Sequence, residues 1–257
     1  MASSAPACRF TKNPFEQCPI EILLAITRLS PDLSSLHNLI QACPPIAHAF
    51  RKNGPEIVDS VMRISLPMQI QAIIHIIVLI RSSSLASPSL DEFIQVYAPP
   101  TASPNIPTSL SKATSLVILH GILTSAYQIW LLTHACLQYY INQCMAHQLS
   151  HLADSTSTVE IIGNSLKSGA DEEWRESPMY NASIQGRRYQ LHSSGPPSEV
   201  EEQRVARAFW LVQMLYDLQN AAESQLGWPE EDLNRLRDMD GEQLASVLHV
   251  EPEQVPR

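Results

Sequence analysis

Apolar residues recur three and four positions apart through nearly every long stretch of this 257-residue chain, and strict alternation over a strand length is rare. That spacing follows the 3.6-residue period of an α-helix, whereas a half-buried strand has a period of two. The chain has only 8 glycines, and neither Asn-Gly nor Asp-Gly separates two alternating runs, so hairpin turns have few candidates. The pattern predicts an all-α fold, with short N-terminal helices joined to an irregular helical bundle.

Proline positions indicate where the N-terminal helices begin. Five of the 19 prolines lie at or near the first turn of an apolar-periodic stretch, namely Pro19, Pro31, Pro45, Pro55 and Pro67. Proline is tolerated there because the backbone N–H of the first turn has no partner within the helix, and the fixed φ of proline suits a helix. We therefore predict helices at about 19–29, 32–42, 45–52, 55–64 and 67–81.

Composition divides the chain into four segments. Residues 14–54 form an N-terminal helical segment, and residues 55–152 a helical bundle with a Ser/Pro-rich connection at 82–110. That connection contains a short helix at 90–97 and leads into a long uncharged helix from about 110 to 152, with a break near Gly121 as an option. Residues 153–197 are loop-rich, and residues 198–250 are C-terminal helices, including two at about 230–238 and 242–249.

The C-terminal segment opens on a helix-start signal. Ser198 and Glu201 match a capping box, in which the serine hydroxyl accepts from the Glu201 amide and the glutamate carboxylate accepts from the Ser198 amide. Helical spacing then defines one apolar face that we predict to be buried, formed by Val205, Ala208, Phe209, Val212, Leu215, Tyr216 and Ala222. Trp210 lies off that face, where it is a candidate surface anchor.

Charge is distributed unevenly along the chain. The formal net charge is −9, but residues 1–150 carry 8 Lys and Arg against 7 Asp and Glu, whereas residues 151–257 carry 9 against 19. Phosphate backbones would repel the acidic half, and no basic stripe interleaved with aromatic residues is present elsewhere. We therefore expect no nucleic-acid binding. The hydrophobic content of 44% is ample for a sizeable core.

Cysteine usage and the N-terminal residues indicate an intracellular protein. The cysteines lack close spacing, and a chain of this length does not need disulfide staples, so we predict reduced thiols. The positions are Cys8, Cys18, Cys43, Cys136 and Cys144. The first 15 residues lack the apolar run of a secretory signal. The expected location is the cytoplasm or the nucleus.

A long uncharged stretch raises the question of a membrane span. The 41 residues from 113 to 153 contain no Asp, Glu, Lys or Arg. The most apolar part, 116–141, nevertheless includes His120, Gln128, His134 and Gln138, whereas a spanning helix needs about 20 predominantly apolar residues. We predict that this stretch is the buried central helix of the bundle and that the protein does not associate with a membrane.

Two similar helix starts follow each other between residues 14 and 54. The residues that carry the pattern are Pro19, Glu21, Ile22, Leu23 and Ile26, then Pro31, Asp32, Leu33, Leu36 and Leu39, with Phe50 closing a third helix. This segment resembles the F-box family, whose members place a Pro-x-Glu-apolar-apolar start before a second helix of the Asp-x-x-Ser-Leu type. Two places differ from the family pattern. Cys18 stands where the family usually has Leu, and Pro44-Pro45 replaces a Val-Cys-Arg-type start.

The resemblance implies a partner protein. Three short helices cannot bury all their apolar surface among themselves, and in the family the surplus binds the small adaptor subunit of a cullin-based ubiquitin ligase. We therefore expect an F-box-like adaptor that binds this subunit, recruits an unknown protein substrate with its other helices, and has no cofactor. The implied adaptor-binding residues are Pro19, Ile20, Ile22, Leu23, Ile26, Leu33, Leu36 and Leu39.

A second resemblance concerns the C-terminal half. Residues 201–219, EEQRVARAFWLVQMLYDLQ, together with the overall layout, resemble a set of filamentous-fungal proteins of undefined role that carry such F-boxes. This resemblance implies relatedness and adds no activity.

Two other classes of function stay open. A structural or regulatory helical protein would have no ligase role and would bury Ile22, Leu23 and Leu36 within the chain. An enzyme needs a pocket with convergent titratable groups, and the sequence contains neither a nucleophile elbow nor a phosphate-binding glycine motif. We predict no enzymatic activity, a prediction that would change if His134, His147 and His151 lined one cleft.

Two clusters of side chains each have a structural and a functional interpretation. Cys144, His147 and His151 have metal-ligand spacing on one helix face, but no second ligand pair lies nearby, so we predict no metal site. Acidic residues at 171–176 surround Trp174. A solvated loop is the expected structure there, and an acidic-aromatic docking motif is the alternative.

Overall fold

The structure, a computed structural model, describes residues 14–85, 87–97, 106–146 and 195–239. Of these residues 80% are helical and none lies in a strand, which confirms the all-α class. A 3-10 helix at Pro14–Gln17 precedes α1 (Ile20–Arg28), α2 (Leu33–Ala42), α3 (Pro44–Ser65), α4 (Met68–Arg81), α5 (Leu90–Tyr97), α6 (Leu116–Ala146), α7 (Glu199–Ala221), a π-helix (Ala222–Leu226) and α8 (Glu230–Asp238). The predicted helix at 242–249 lies outside the described residues.

The first helices begin where the prolines predict. Pro19 is the N-cap residue of α1 and Pro67 that of α4, and neither helix has a side-chain cap. The start of α2 is capped by Asp32 instead, whose Oδ1 accepts from the Ser35 amide at 2.7 Å and from the Ser34 hydroxyl at 2.8 Å. Such a cap satisfies an amide that has no partner within the helix.

The two predicted helices at 45–52 and 55–64 form one kinked element, α3. Asn53 has non-helical angles (φ −129°, ψ 19°), and Pro55 follows two residues later. The proline explains the kink, because proline inside a helix removes an N–H and crowds the preceding turn. The segment boundary predicted between residues 54 and 55 therefore lies within α3. Gly54 is buried there, and a Cβ at this position would lie 2.8 Å from Leu119 Cδ1, so the glycine permits the close approach of α3 and α6.

The N-terminal helices share their core with the later ones. Both α1 and α2 pack against α3, and α4 packs against α7. The ring of His37 on α2 stacks on Tyr127 of α6 with centroids 5.3 Å apart, and Phe50 of α3 meets His120 of α6 at the same distance. Buried side chains of α1 to α4, α6 and α7 belong to one apolar cluster. Helices α1 to α3 are thus part of a larger core.

The chain divides into two compact units, and α6 contributes to both. Residues 1–135 and 198–257 form the first unit and residues 136–197 the second. In the second unit the end of α6 is described, where Gln138 Nε2 donates to Asn142 Oδ1 at 3.0 Å. This side-chain bond links neighbouring turns of the helix.

Within the described residues, α6 alone is long and apolar enough to span a membrane by length and composition, a criterion that core helices of soluble proteins also meet. The expected burial is present in its first half, at Leu119 and Ile122. It is absent on the outward side, since Trp130, Leu131 and Leu132 are 43%, 44% and 50% exposed. The prediction of a buried central helix is therefore wrong on that side. No break occurs at Gly121.

The buried face of α7 agrees with the predicted one only in part. Leu215 and Ala222 are buried as predicted, whereas Val205 and Phe209 are half-buried and Ala208 is exposed. Trp210 and Met214 lie in the core, whereas Val212 and Tyr216 are more than half exposed. The residues from 209 to 215 are apolar on more than one side of the helix, and packing against α4 selects the side that contains Trp210. Trp210 is therefore a core residue and not a surface anchor.

The predicted capping box at the start of α7 is confirmed. Glu201 Oε2 accepts from the Ser198 amide at 2.7 Å, and the Ser198 hydroxyl accepts from the Glu201 amide at 3.4 Å. Hydrogen bonds from the backbone amide and then the hydroxyl of Ser198 lower the pKa of the Glu201 carboxyl. Glu201 therefore stabilises the fold most above its ordinary pKa, and this contribution is lost as the pH falls through the lowered value.

We expect Glu201→Gln, which keeps an acceptor but removes the titrating charge, to lower the Tm near neutral pH. The difference from the wild type should shrink as the pH falls below the ordinary pKa of a glutamate and vanish once the carboxyl is protonated. Thermal unfolding followed by circular dichroism at stepped pH measures it. Glu199→Gln is the control, because Glu199 lies in the same turn and does not bond the cap amide. A Tm difference that persists in strong acid would contradict the assignment.

Candidate functional site

The residues implied to bind an adaptor do not share one environment. Pro19, Ile20 and Ile22 are exposed, Ile26 and Leu39 are half-buried, and Leu23, Leu33 and Leu36 are buried. The last three hold α1 and α2 in the core, so the exposure that a docking residue needs is present only in the other five. The rival expectation, burial of Ile22, Leu23 and Leu36 within the chain, is met at Leu23 and Leu36 but not at Ile22. Adaptor binding itself stays a prediction.

Helix α1 carries apolar side chains on two sides. Leu23 and Thr27 face the core, and the Thr27 hydroxyl donates to the Leu23 carbonyl at 3.1 Å. On the other side Ile22, Ile26 and Leu29 are four and three residues apart, so they lie on one face along about 10 Å of the helix axis. Ile22 is 50% and Leu29 74% exposed. We call these three residues the α1 stripe. Leu29 was missed by the F-box pattern, although its spacing from Ile22 would have indicated it.

A cleft of about 250 Å³ is the second candidate site. The start of α2, the junction of α3 and α4, the middle of α6 and the first half of α7 surround it, all within the first unit. Its apolar lining includes Leu66, Ile70 and Ile129 together with the rings of Trp130 and Trp210. Pockets for drug-sized ligands occupy roughly 300–1,000 Å³, so this cleft suits a smaller molecule or a single side chain.

The charged residues of the cleft are acidic. Asp32, Glu199 and Glu202 line it, and neither Lys nor Arg is among its described lining residues. Asp32 is engaged as a helix cap, and Glu199 Oε1 accepts from Gln203 Nε2 at 2.9 Å. Glu202 has no such bond, and the imidazole Nε2 of His134 lies 3.9 Å from its Oε1. Glu202 thus lacks a close hydrogen-bond donor.

His134 is oriented by its own helix. Its Nδ1 lies 2.9 Å from the Trp130 carbonyl oxygen, and its ring packs on that of Trp130 with centroids 4.4 Å apart. Because a carbonyl oxygen can only accept, Nδ1 carries the proton and Nε2 faces Glu202. This arrangement holds an imidazole and a carboxylate at the mouth of the cleft.

Thr133 is an unusual polar residue of the cleft wall. It is 3% exposed, and its Oγ1 has no hydrogen-bond partner. Threonine inside a helix commonly donates to the carbonyl four residues earlier, as Thr124 does to His120 at 2.9 Å. A buried hydroxyl without a partner destabilises a fold by about 1–3 kcal/mol. The cleft therefore contains a polar group that the described chain leaves unsatisfied.

The metal and enzyme predictions fall partly outside the described residues. No group of three His, Cys, Asp or Glu side chains in the described part of the chain could hold a metal ion. Cys144 belongs to that part, whereas His147, His151 and the acidic residues around Trp174 do not. His134 lines the cleft, but the unpaired Thr133 hydroxyl beside it is not activated by any described base. A nucleophile–base pair is therefore not assembled from these two residues.

Comparison of the chain with family models, with curated proteins and with solved structures finds no match in any of the three. The F-box resemblance consequently rests on the residues of this chain alone.

Proposed function

We propose that this protein is an F-box-like interaction protein that presents the α1 stripe to the adaptor subunit of a cullin-based ubiquitin ligase. The supporting observation is the exposed apolar face of α1, the helix whose start carries the F-box-like pattern. Apolar side chains at positions i, i+4 and i+7 are the spacing with which helices bind apolar grooves of partners. Substrate recruitment falls to other surfaces of the chain, and catalysis to other subunits of the ligase.

The α1 stripe has the size of an anchor and not of a whole interface. A stable interface buries about 800 Å² on each partner, and a few central residues carry most of its binding energy. Three adjacent apolar side chains match such a central group. Pro19, at the start of α1, is exposed as well, and surrounding polar surface would form the rim.

Co-purification of the full chain with the purified adaptor subunit tests this proposal. We expect micromolar binding by the wild type and at least a tenfold loss in Ile22→Asp plus Leu29→Asp, since two charges would enter an apolar contact. The matched control is Ile64→Asp plus Val117→Asp, because these apolar residues are 64% and 81% exposed and lie off the stripe. Both double variants should retain the circular dichroism of the wild type. Absence of wild-type binding at micromolar concentration would sink the proposal.

A structural or regulatory helical protein without a ligase role is the second candidate. Its support is the shared core, in which Leu36 and Phe50 are completely buried and α2 and α3 contact α6. On this hypothesis the N-terminal helices complete the bundle and α1 binds no ligase subunit. The same experiment separates the two candidates, because the second predicts no adaptor binding by a fully folded wild type.

A further inference from the structure

The cleft between α6 and α7 provides an apolar chamber with a charged mouth. Ile70, Ile129 and the buried Trp210 line it, and Trp130 exposes 43% of its surface beside it. Apolar walls with a few polar groups are typical of sites for small molecules. The volume of about 250 Å³ limits the occupant to a compact group.

The charge of the cleft selects the sign of the occupant. Three carboxylates and no described Lys or Arg line it, so an anion would be repelled and a cation attracted. Glu202 is the carboxylate best placed to bind, because Asp32 and Glu199 already accept hydrogen bonds. The face of a tryptophan ring, here that of Trp130, also attracts cations.

The unpaired hydroxyl of Thr133 is an independent sign of a ligand. Thr133 lines the cleft and is 3% exposed, and the described chain supplies no hydrogen-bond partner for its Oγ1. Buried polar groups are almost always hydrogen-bonded. An ammonium group has three donors and no acceptor, so one of them could bond to the Thr133 oxygen while another bonds to Glu202.

We propose that the cleft binds a small organic cation, a primary ammonium group on a compact apolar body. The apolar body lies between Ile129 and Trp210, and the ammonium group bonds to Glu202 and Thr133. The same chemistry is present in free amines and in lysine side chains of a partner protein. The site does not depend on adaptor binding by α1.

Calorimetric titration of the full chain tests the site with two matched probes, phenethylammonium chloride and the neutral 2-phenylethanol. We expect a Kd on the order of 0.1–1 mM for the cation and at least tenfold weaker binding of the alcohol. A third probe, Nα-acetyl-lysine methylamide, represents a lysine side chain. Tighter binding of this probe than of phenethylammonium assigns a protein ligand, and the reverse order assigns a free amine. Both orders support the site.

Three variants locate the binding. Glu202→Gln and the isosteric Thr133→Val should each raise the Kd of phenethylammonium about tenfold. Thr133→Val should at the same time keep or raise the Tm, since it removes an unpaired buried hydroxyl, which separates lost binding from lost folding. Glu230→Gln removes an exposed carboxylate outside the cleft and should leave the Kd unchanged. The proposal would be overturned by absence of saturable binding at 10 mM, roughly a hundred times the tight end of the expected range. Equal affinity for the alcohol, or an unchanged Kd in both cleft variants, would also overturn it.

Discussion

Aspartate at both Leu23 and Leu36 should unfold the protein and not merely weaken a partner contact. Leu36 has no exposed surface and Leu23 only 4%, and both belong to the core in which α1 and α2 pack on α3. An unpaired carboxylate in such a place destabilises a fold by several kcal/mol, whereas the whole stability of a domain is about 5–15 kcal/mol. We expect loss of the cooperative thermal transition, measured by circular dichroism.

Two controls make this result informative. Leu36→Met conserves volume and apolar character, so it should change the stability by less than about 1.5 kcal/mol. Ile22→Asp plus Leu29→Asp introduces the same number of charges on the exposed side of the same helix region and should keep the cooperative transition. A Leu23→Asp plus Leu36→Asp variant that melts like the wild type would show that the two leucines do not face the core.

The helix starts could be predicted because their causes are local. A proline fixes its own φ and lacks its own N–H, and a capping serine bonds an amide three residues away. For this reason Pro19, Pro67 and the Ser198 capping box mark helix starts in the structure as they do in the sequence. The helices at 90–97 and 230–238 also have the predicted bounds.

The choice of buried face could not be predicted where a helix is apolar on two sides. In α7 the stripe through Phe209, Val212 and Tyr216 competes with that through Trp210 and Met214, and the packing partner α4 decides between them. In α1 the same ambiguity separates Leu23 from Ile22, and α3 decides. Periodicity identifies an apolar stripe, but contacts between residues far apart in sequence determine which stripe is covered.

The cleft was beyond sequence reasoning for a related reason. Its lining joins Asp32, Thr133 and Glu202, which are separated by about a hundred and by about seventy residues, and no local pattern brings such positions together. The lack of a partner for Thr133 is also a property of the packed structure, because on an exposed helix the hydroxyl would bond to water. The signal available in the sequence was limited to a threonine and a histidine within an apolar helix.

Replacing Asp59 by alanine should destabilise the protein by about 3 kcal/mol. Asp59 of α3 is 7% exposed, and its Oδ1 and Oδ2 accept from the Leu110 amide at 3.1 and 2.9 Å. His75 Nε2 of α4 lies 3.7 Å from Oδ1 and has no hydrogen-bond partner. Alanine would leave the buried amide unpaired and the histidine without its neighbouring carboxylate. Urea unfolding followed by circular dichroism measures the loss.

Asp59→Asn separates the hydrogen bond from the charge. Its carbonyl oxygen can still accept from the Leu110 amide in nearly the same volume, so the loss should be only about 1 kcal/mol. Hydrogen exchange adds a local measurement, because the Leu110 amide should exchange faster in Asp59→Ala than in Asp59→Asn. Equal stability of the two variants would mean that the bond to Leu110 does not hold this part of the chain on α3. Faster exchange of the Leu110 amide in Asp59→Ala alone would instead show that Asp59 holds this part of the chain on α3, since its side chain replaces water as the partner of a buried amide.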